Sequence, residues 1–147
     1  MNEPRPTSPL PYGPPISLTS AVRVATAAQA EAERHGWPMI IAVVDSAGHL
    51  VLLYRMDQAQ LGSIAVAQRK AETAVHFRRS TLEFQERVAR GGEDLRILAM
   101  SNVIPVEGGL PLVVDGVIVG GIGVSGMAAD QDGQVARAGL AALQTSA

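Results

Sequence analysis

The feature of the sequence that most constrains the fold is a pair of apolar runs separated by two turn residues. Residues 110–114 and 117–124 are rich in valine, leucine and isoleucine, and Asp115-Gly116 lies between them. Asp-Gly is a preferred pair for the type I′ turn, whose twist matches that of the two strands it joins. This segment therefore predicts a β-hairpin near the C-terminus.

A second hairpin is predicted nearer to the N-terminus. Residues 39–44 form a continuous apolar run, residues 45–48 carry the turn sequence Asp-Ser-Ala-Gly, and residues 50–54 form a second apolar run. Short β-branched runs bounded by turn residues are typical of strands. Because hairpins dominate the predicted strands, we expect the sheet to be antiparallel.

Apolar residues that recur every three or four positions predict helices between and around the hairpins. The first helix has Ser17 or Thr19 as its expected N-cap, and Gly36 ends it. Another begins at a capping box and ends at a pair of glycines. The predicted helices span residues 18–35, residues 63–78, the segment from the capping box at 80–83 to the glycines at 91–92, and residues 130–143.

The predicted order of elements is α-ββ-αα-(β)-ββ-α, where the bracketed strand stands for residues 93–106, whose pattern is irregular. This order predicts an α+β fold, with an antiparallel β-sheet built from hairpins and flanked by α-helices. We expect one domain at residues 17–147, preceded by a proline-rich N-terminal arm at residues 1–16. The arm is expected either to be a disordered tail or to lie on a neighbouring subunit with Tyr12 as its anchor.

The composition excludes several classes of function. A net charge of -2 and the lack of a basic cluster argue against a nucleic-acid partner, since neutralising phosphates needs a basic surface. No apolar run approaches the roughly 18 residues of a membrane helix, and the proline-rich start lacks the apolar segment of a secretory signal. The sequence has no cysteine, which excludes disulfides and thiolate chemistry and fits a cytoplasmic protein.

The apolar content of the chain also predicts self-association. Hydrophobic residues make up 47% of the sequence, and its mean hydropathy is +0.17. Apolar surface in excess of one small core is usually hidden between subunits, so we expect a homo-oligomer.

The segment from Gly121 to Gly126 matches the pattern GxGxxG of dinucleotide-binding proteins, but its context does not. That function needs a second parallel strand and an acidic residue about 20 positions further on. Here the preceding strand belongs to a hairpin, and a single helix follows. We therefore predict that these glycines let the last strand pass close to a helix.

Two histidines are the candidate metal ligands of the chain. His76 lies on the second predicted helix, in line with the polar residues Gln68, Glu72 and Arg79, and His49 follows the turn of the first hairpin. The third, His35, is expected in a last helical turn, where a cation favours the helix dipole. Exposed or structural roles remain open for all three.

A second stripe on the same helix predicts a ligand site. Lys70, Thr73 and Phe77 are spaced three and four apart, so they share one helical face that suits an acidic ligand with an apolar body. The segment Glu107-Gly108-Gly109 precedes the last hairpin, and its glycines permit a close backbone approach. We predict a pocket between the two, in which Glu107 and Lys70 pair. In the alternative, Lys70 reaches solvent and Glu107 lies in a simple turn.

Several stretches, taken together, resemble the haem-degrading family of HbpS/GlcG-like domains, which includes the PduO C-terminal domain. The similarity extends over about residues 17–143. Lys70, Thr73 and Phe77 match its Lys-x-x-Thr-x-x-x-Phe pattern, whereas His76 stands where the family more often carries an apolar residue. The stretches that carry the resemblance are residues 41–50, 62–65, 70–77, 107–116, 120–126 and 131–132.

The resemblance implies an antiparallel sheet flanked by helices, assembly into dimers and up to octamers, and haem as the expected cofactor. Three functions remain open. The chain binds haem or a related tetrapyrrole and degrades it, with His76 or His49 as axial ligand. Alternatively, it is a cofactor-free enzyme on a small organic acid or aromatic catabolite, with Lys70 or Arg55 holding a carboxylate and Glu107 as general base. In the third case it is a non-catalytic partner encoded in a catabolic operon.

Overall fold

The computed structural model describes residues 9–144 as helices packed around one four-stranded antiparallel sheet. Across the sheet the strands follow the order β2 (Leu50–Arg55), β1 (Ile40–Asp45), β4 (Val117–Ser125) and β3 (Gly109–Val114). This confirms the predicted α+β fold and its hairpins. In place of the bracketed strand, a 3-10 helix follows the third α-helix. The elements are α1 (Leu18–His35), β1 (Ile40–Asp45), β2 (Leu50–Arg55), α2 (Ser63–Phe77), α3 (Thr81–Arg90), the 3-10 helix (Gly92–Ala99), β3 (Gly109–Val114), β4 (Val117–Ser125) and α4 (Ala129–Gln144).

The turn between β3 and β4 has the backbone that its sequence predicts. Asp115 and Gly116 both have positive φ angles, of 50° and 78°, and a type I′ turn requires this of its two central residues. The hairpin therefore forms where the Asp-Gly pair places it. At α1, Ser17 is the residue that caps, because its hydroxyl accepts a hydrogen bond from the Ser20 amide at 3.1 Å.

Helices cover both faces of the sheet, because side chains of a strand alternate between its faces. Ile41 and Val43 of β1 belong to the core beneath α1 and α4, where alanines of α1 pack closely. Ile40 and Ala42 point to the other face, where they meet Ala67 of α2. Helix α2 crosses β1, β4 and β3 on that face, and α3 and the 3-10 helix lie beyond it.

The glycines of β4 bring the strand into backbone contact with α2. A Cβ atom at Gly123 would collide with the carbonyl oxygen of Ala67, and one at Gly121 would lie 2.7 Å from the carbonyl oxygen of Ala71. The GxGxxG pattern therefore has the packing role that its context predicts. The same contact places the middle of α2, which carries Lys70, directly over the end of β4.

Residues 9–16 extend the sheet of their own chain. The amide of Gly13 donates to the Ile118 carbonyl at 2.8 Å, and the amide of Ile118 donates to the Pro11 carbonyl at 2.9 Å. The Tyr12 hydroxyl donates to the carbonyl oxygen of Val75 at 2.7 Å, which ties the arm to the end of α2. Residues 1–8 of the predicted arm lie outside the described residues.

None of the helices within residues 9–144 is both long enough and apolar enough to cross a membrane.

Candidate functional site

The only lysine in the sequence, Lys70, is enclosed by the protein. Its side chain is 1% exposed, and it extends from α2 toward the end of β4. The Nζ atom donates hydrogen bonds to the carbonyl oxygen of Val124 at 2.9 Å and to Oδ2 of Asp132 at 3.0 Å. A buried ammonium needs such partners, because removal from water penalises its charge.

The partner of Lys70 is Asp132, a residue that sequence reasoning did not single out for a role. Asp132 lies in the first turn of α4, and its Oδ1 atom accepts a hydrogen bond from the Met127 amide at 3.0 Å. An acidic side chain is favoured there by the helix dipole and by free amides. That preference is the feature of the sequence that points to Asp132, but it indicates a cap and not a buried ion pair.

Burial and ion pairing shift the pKa values of Lys70 and Asp132 in opposite directions. Burial lowers the pKa of Lys70, and the negative charges of Asp132 and Glu107 partly oppose this effect. Burial likewise raises the pKa of Asp132, and the charge of Lys70 and the hydrogen bond from Met127 oppose it. The charge of each group partly offsets the effect of burial on the other, and their hydrogen bonds join α2, β4 and α4 at one point.

The Glu107-Gly108-Gly109 segment packs around this ion pair. Gly108 has a φ of +133°, and a Cβ atom there would lie 2.8 Å from the Nζ atom of Lys70 and 2.5 Å from the Val124 carbonyl oxygen. The Gly109 amide donates to the Thr81 hydroxyl at 2.8 Å. Glycine is therefore needed at position 108 both for its backbone angle and for the close approach to Lys70.

The carboxylate of Glu107 forms an ion pair with Arg137 and packs against Gly133. Its Oε2 atom lies 3.1 Å from Nη1 of Arg137, and a Cβ atom at Gly133 would collide with it. The structure thus brings Lys70, Glu107, Gly108 and Gly109 together, with Asp132 and Arg137 as further members. None of these six residues lines the clefts described below. Their catalytic and binding roles stay predictions.

The other members of the predicted ligand site have separate surroundings. Thr73 is buried, and its hydroxyl donates to the Arg69 carbonyl at 2.7 Å and accepts from the Ile104 amide at 3.2 Å. Phe77 is half-buried and reaches two clefts at the end of α2. Arg55 is exposed at the far end of β2, where it lines two clefts together with Met56.

The two predicted metal ligands lie near the turn of the first hairpin. His76 and His49 are both exposed, and the Nε2 atom of His76 faces Gly48, where any Cβ atom would collide with it. The amide of His49 donates to Oδ1 of Asp45 at 3.0 Å. Within residues 9–144, no group of three or more His, Cys, Asp or Glu side chains is placed to hold a metal ion.

Two neighbouring clefts open where α2 ends and α3 begins. The first has a volume of about 660 Å³ and the second about 360 Å³, and both have Phe77 and Arg79 in their walls. We call them the histidine cleft and the arginine cleft. The histidine cleft is lined by Pro9, His76, Phe77, Arg78, Arg79, Ser80 and Glu83. The arginine cleft is lined by Phe77, Arg79, Phe84, Arg87, Arg96, Ile97 and Met100.

Comparison with known proteins gives one consistent result. A family model described as haem degrading protein HbpS-like matches residues 16–141. Protein GlcG of Escherichia coli (strain K12) is 40% identical over 110 residues, which cover 75% of this chain and 81% of GlcG. A crystal structure of HbpS is 35% identical with a TM-score of 0.80, covering 90% of this chain and 92% of that one. A crystal structure of a PduOC:heme complex is 31% identical with a TM-score of 0.79, covering 87% and 94%.

Proposed function

The chain belongs to the family of HbpS-like haem-degrading proteins, and we propose that it binds haem or a related tetrapyrrole in the histidine cleft. The observation that carries the proposal is the set of side chains around this cleft. An exposed imidazole, an aromatic ring and two guanidinium groups open onto one volume of about 660 Å³. A relative of the same fold forms a complex with haem.

The donor set of the cleft fits this group. The imidazole of His76 is an iron ligand of the kind that holds haem in many proteins. The half-buried ring of Phe77 offers an apolar surface to a flat macrocycle, and Arg78 and Arg79 match carboxylates in charge and geometry. When bound, haem supplies the iron-centred redox chemistry, and the protein binds and orients it.

One local change is required of His76. Its Nε2 atom faces Gly48 of the first hairpin, so this nitrogen must turn away from the hairpin before it can bind iron. The side chain is exposed, and rotation about its side-chain bonds is therefore open to it. His49, on the same hairpin, is the second candidate ligand.

A haem titration followed by absorbance tests the proposal. We expect the wild-type protein to give a saturable Soret band at one haem per subunit. His76→Ala should shift or abolish that band. His35→Ala is the matched control, because His35 stacks on Trp37 with a ring distance of 4.3 Å and lies outside both clefts.

Three outcomes separate the possibilities. An unaltered band in His76→Ala and a lost band in His49→Ala would move the iron ligand to His49. An unaltered band in both variants would contradict the histidine assignment. A wild-type protein that shows no saturable change with haem would contradict haem binding itself.

Haem degradation is a more specific activity than haem binding, and it is the activity for which the family is named. We infer that it depends on the same cleft. Haem-loaded protein should lose its Soret band when a reductant such as ascorbate is added in air, faster than free haem does. His76→Ala should lose this difference. Equal rates for wild-type protein and free haem would limit the function to binding.

A further inference from the structure

We propose that the arginine cleft is a separate binding site for a carboxylic acid that carries an aromatic ring. This goes beyond haem binding, since it assigns a second ligand of different chemistry to a neighbouring cleft. The cleft lies between the end of α2, helix α3 and the 3-10 helix, and its volume is about 360 Å³. That volume falls at the lower end of the range for small-molecule sites.

The floor of the cleft is apolar and contains two aromatic rings. Phe77 and Phe84 meet edge to face, with ring centroids 5.5 Å apart and an angle of 84° between the planes. Phe84 is 3% exposed and supports Phe77 from within the protein, so a flat ligand can stack on the half-buried ring of Phe77. Ile97 is buried beside them, and Met100 is a flexible side chain that adapts to the shape of a ligand.

The rim of the cleft carries three guanidinium groups. Arg79 pairs with Glu83 at 3.5 Å and its guanidinium lies over the Phe84 ring, and Arg87 pairs with Asp94 at 3.2 Å. Within residues 9–144, no carboxylate lies at ion-pair distance from the guanidinium of Arg96. The rim therefore holds three cations against two carboxylates, and one positive charge is left for a ligand.

The guanidinium groups of the rim and the apolar floor together define the class of ligand that fits the cleft. Guanidinium groups bind carboxylates through two parallel hydrogen bonds, which fixes the orientation of the acid at the rim. The apolar floor is suited to a ring system of one or two rings and not to a polar sugar. A neutral ring would bury the same apolar surface but would leave the charge of Arg96 unused.

The test uses haem-free protein and the colourless probe 1-naphthoate, with binding measured by calorimetry. We expect one naphthoate per subunit and no detectable binding of the neutral analogue 1-naphthylmethanol. Arg96→Gln and Arg87→Gln should each weaken binding by about ten-fold or more, the effect of losing a charged hydrogen bond. Arg90→Gln is the matched control, because Arg90 is exposed on the same helix as Arg87 but lines neither cleft.

A second measurement locates the ligand. The methyl signal of Met100, assigned by its loss in Met100→Leu, should shift in NMR spectra as naphthoate is added. Wild-type affinity in Arg96→Gln and Arg87→Gln would overturn the proposal, as would equal binding of the neutral analogue. Binding that leaves the Met100 methyl signal unshifted would overturn it too. His76→Ala should bind naphthoate like the wild type, so a failed haem titration leaves this site standing.

Discussion

At the scale of single residues, the buried charge of Lys70 is the feature with the greatest consequence. An ion pair removed from water gains from mutual attraction about what it loses in hydration, so it contributes little net stability. Removing one partner, however, leaves the other charge buried and alone. Lys70 and Asp132 are 1% and 3% exposed, so neither charge has water to replace a lost partner.

Lys70→Met should therefore lower the free energy of unfolding by about 3–5 kcal/mol, because Asp132 remains buried without its cation. The double variant Lys70→Met/Asp132→Leu should recover most of that loss, since both desolvated charges are gone. Urea unfolding of the wild type and the two variants measures the difference. If Lys70→Met is as stable as the wild type, the result would show that Lys70 reaches water.

The pKa of Lys70 can be measured directly, because its ε-carbon gives the only lysine signal in an NMR spectrum. Burial lowers the folded-state pKa below 10.5, so the unfolded chain binds more protons between that lowered value and 10.5. Across this window the contribution of Lys70 makes stability rise with pH. The double variant should lack that rise. A Lys70 signal that titrates at or above 10.5 would contradict the burial effect.

The site is predictable from sequence only in part. The three-and-four spacing places Lys70 and Thr73 on one face of α2, and the glycines next to Glu107 indicate a close approach to the backbone. Asp132 lies 62 residues from Lys70 along the chain, and their contact depends on how α4 docks. No local pattern encodes that docking, so the sequence pointed to Glu107 as the partner, whereas the hydrogen bond goes to Asp132.

At the scale of elements, the contact between β4 and α2 holds the site together. Glycine at positions 121 and 123 lets the strand approach the helix backbone, and Lys70 extends from that helix to the end of the same strand. The sequence shows this contact well, because glycines inside an apolar strand often mark the close approach of another backbone. The 3-10 helix is harder to predict from the sequence, because the apolar residues among 92–99 recur with neither the period of a strand nor that of an α-helix.

Gly123→Ala should destabilise the fold by about 1–3 kcal/mol, the usual cost of forcing a methyl group into a packed interior. The new Cβ atom would collide with the Ala67 carbonyl, which α2 cannot move without shifting Lys70. Gly62→Ala is the control, because within residues 9–144 no atom beyond its two chain neighbours lies within 4 Å of its Cβ position, and its φ is -59°. Thermal unfolding measures both. Equal melting temperatures for the Gly123→Ala and Gly62→Ala variants would contradict the contact between the backbones of β4 and α2.

At the scale of the whole molecule, apolar side chains remain on the surface although both sheet faces are covered. Leu61, in the loop before α2, is 73% exposed, and Leu18, the first residue of α1, is 61% exposed. On the 3-10 helix, Leu95 and Leu98 are 49% and 62% exposed. Residues three apart share one side of a 3-10 helix, so these two leucines form a single apolar patch.

We expect this patch to lie between subunits of a homo-oligomer. Light scattering at micromolar concentration should give a mass that is a multiple of 15.4 kDa. Leu95→Glu/Leu98→Glu should lower that mass, because a buried interface does not tolerate two unpaired carboxylates. The substitutions alter exposed positions, so the fold should survive, and its far-ultraviolet dichroism should match that of the wild type.

A wild-type mass of 15.4 kDa would contradict self-association. An unchanged mass in the double variant would contradict the assignment of the interface to the 3-10 helix.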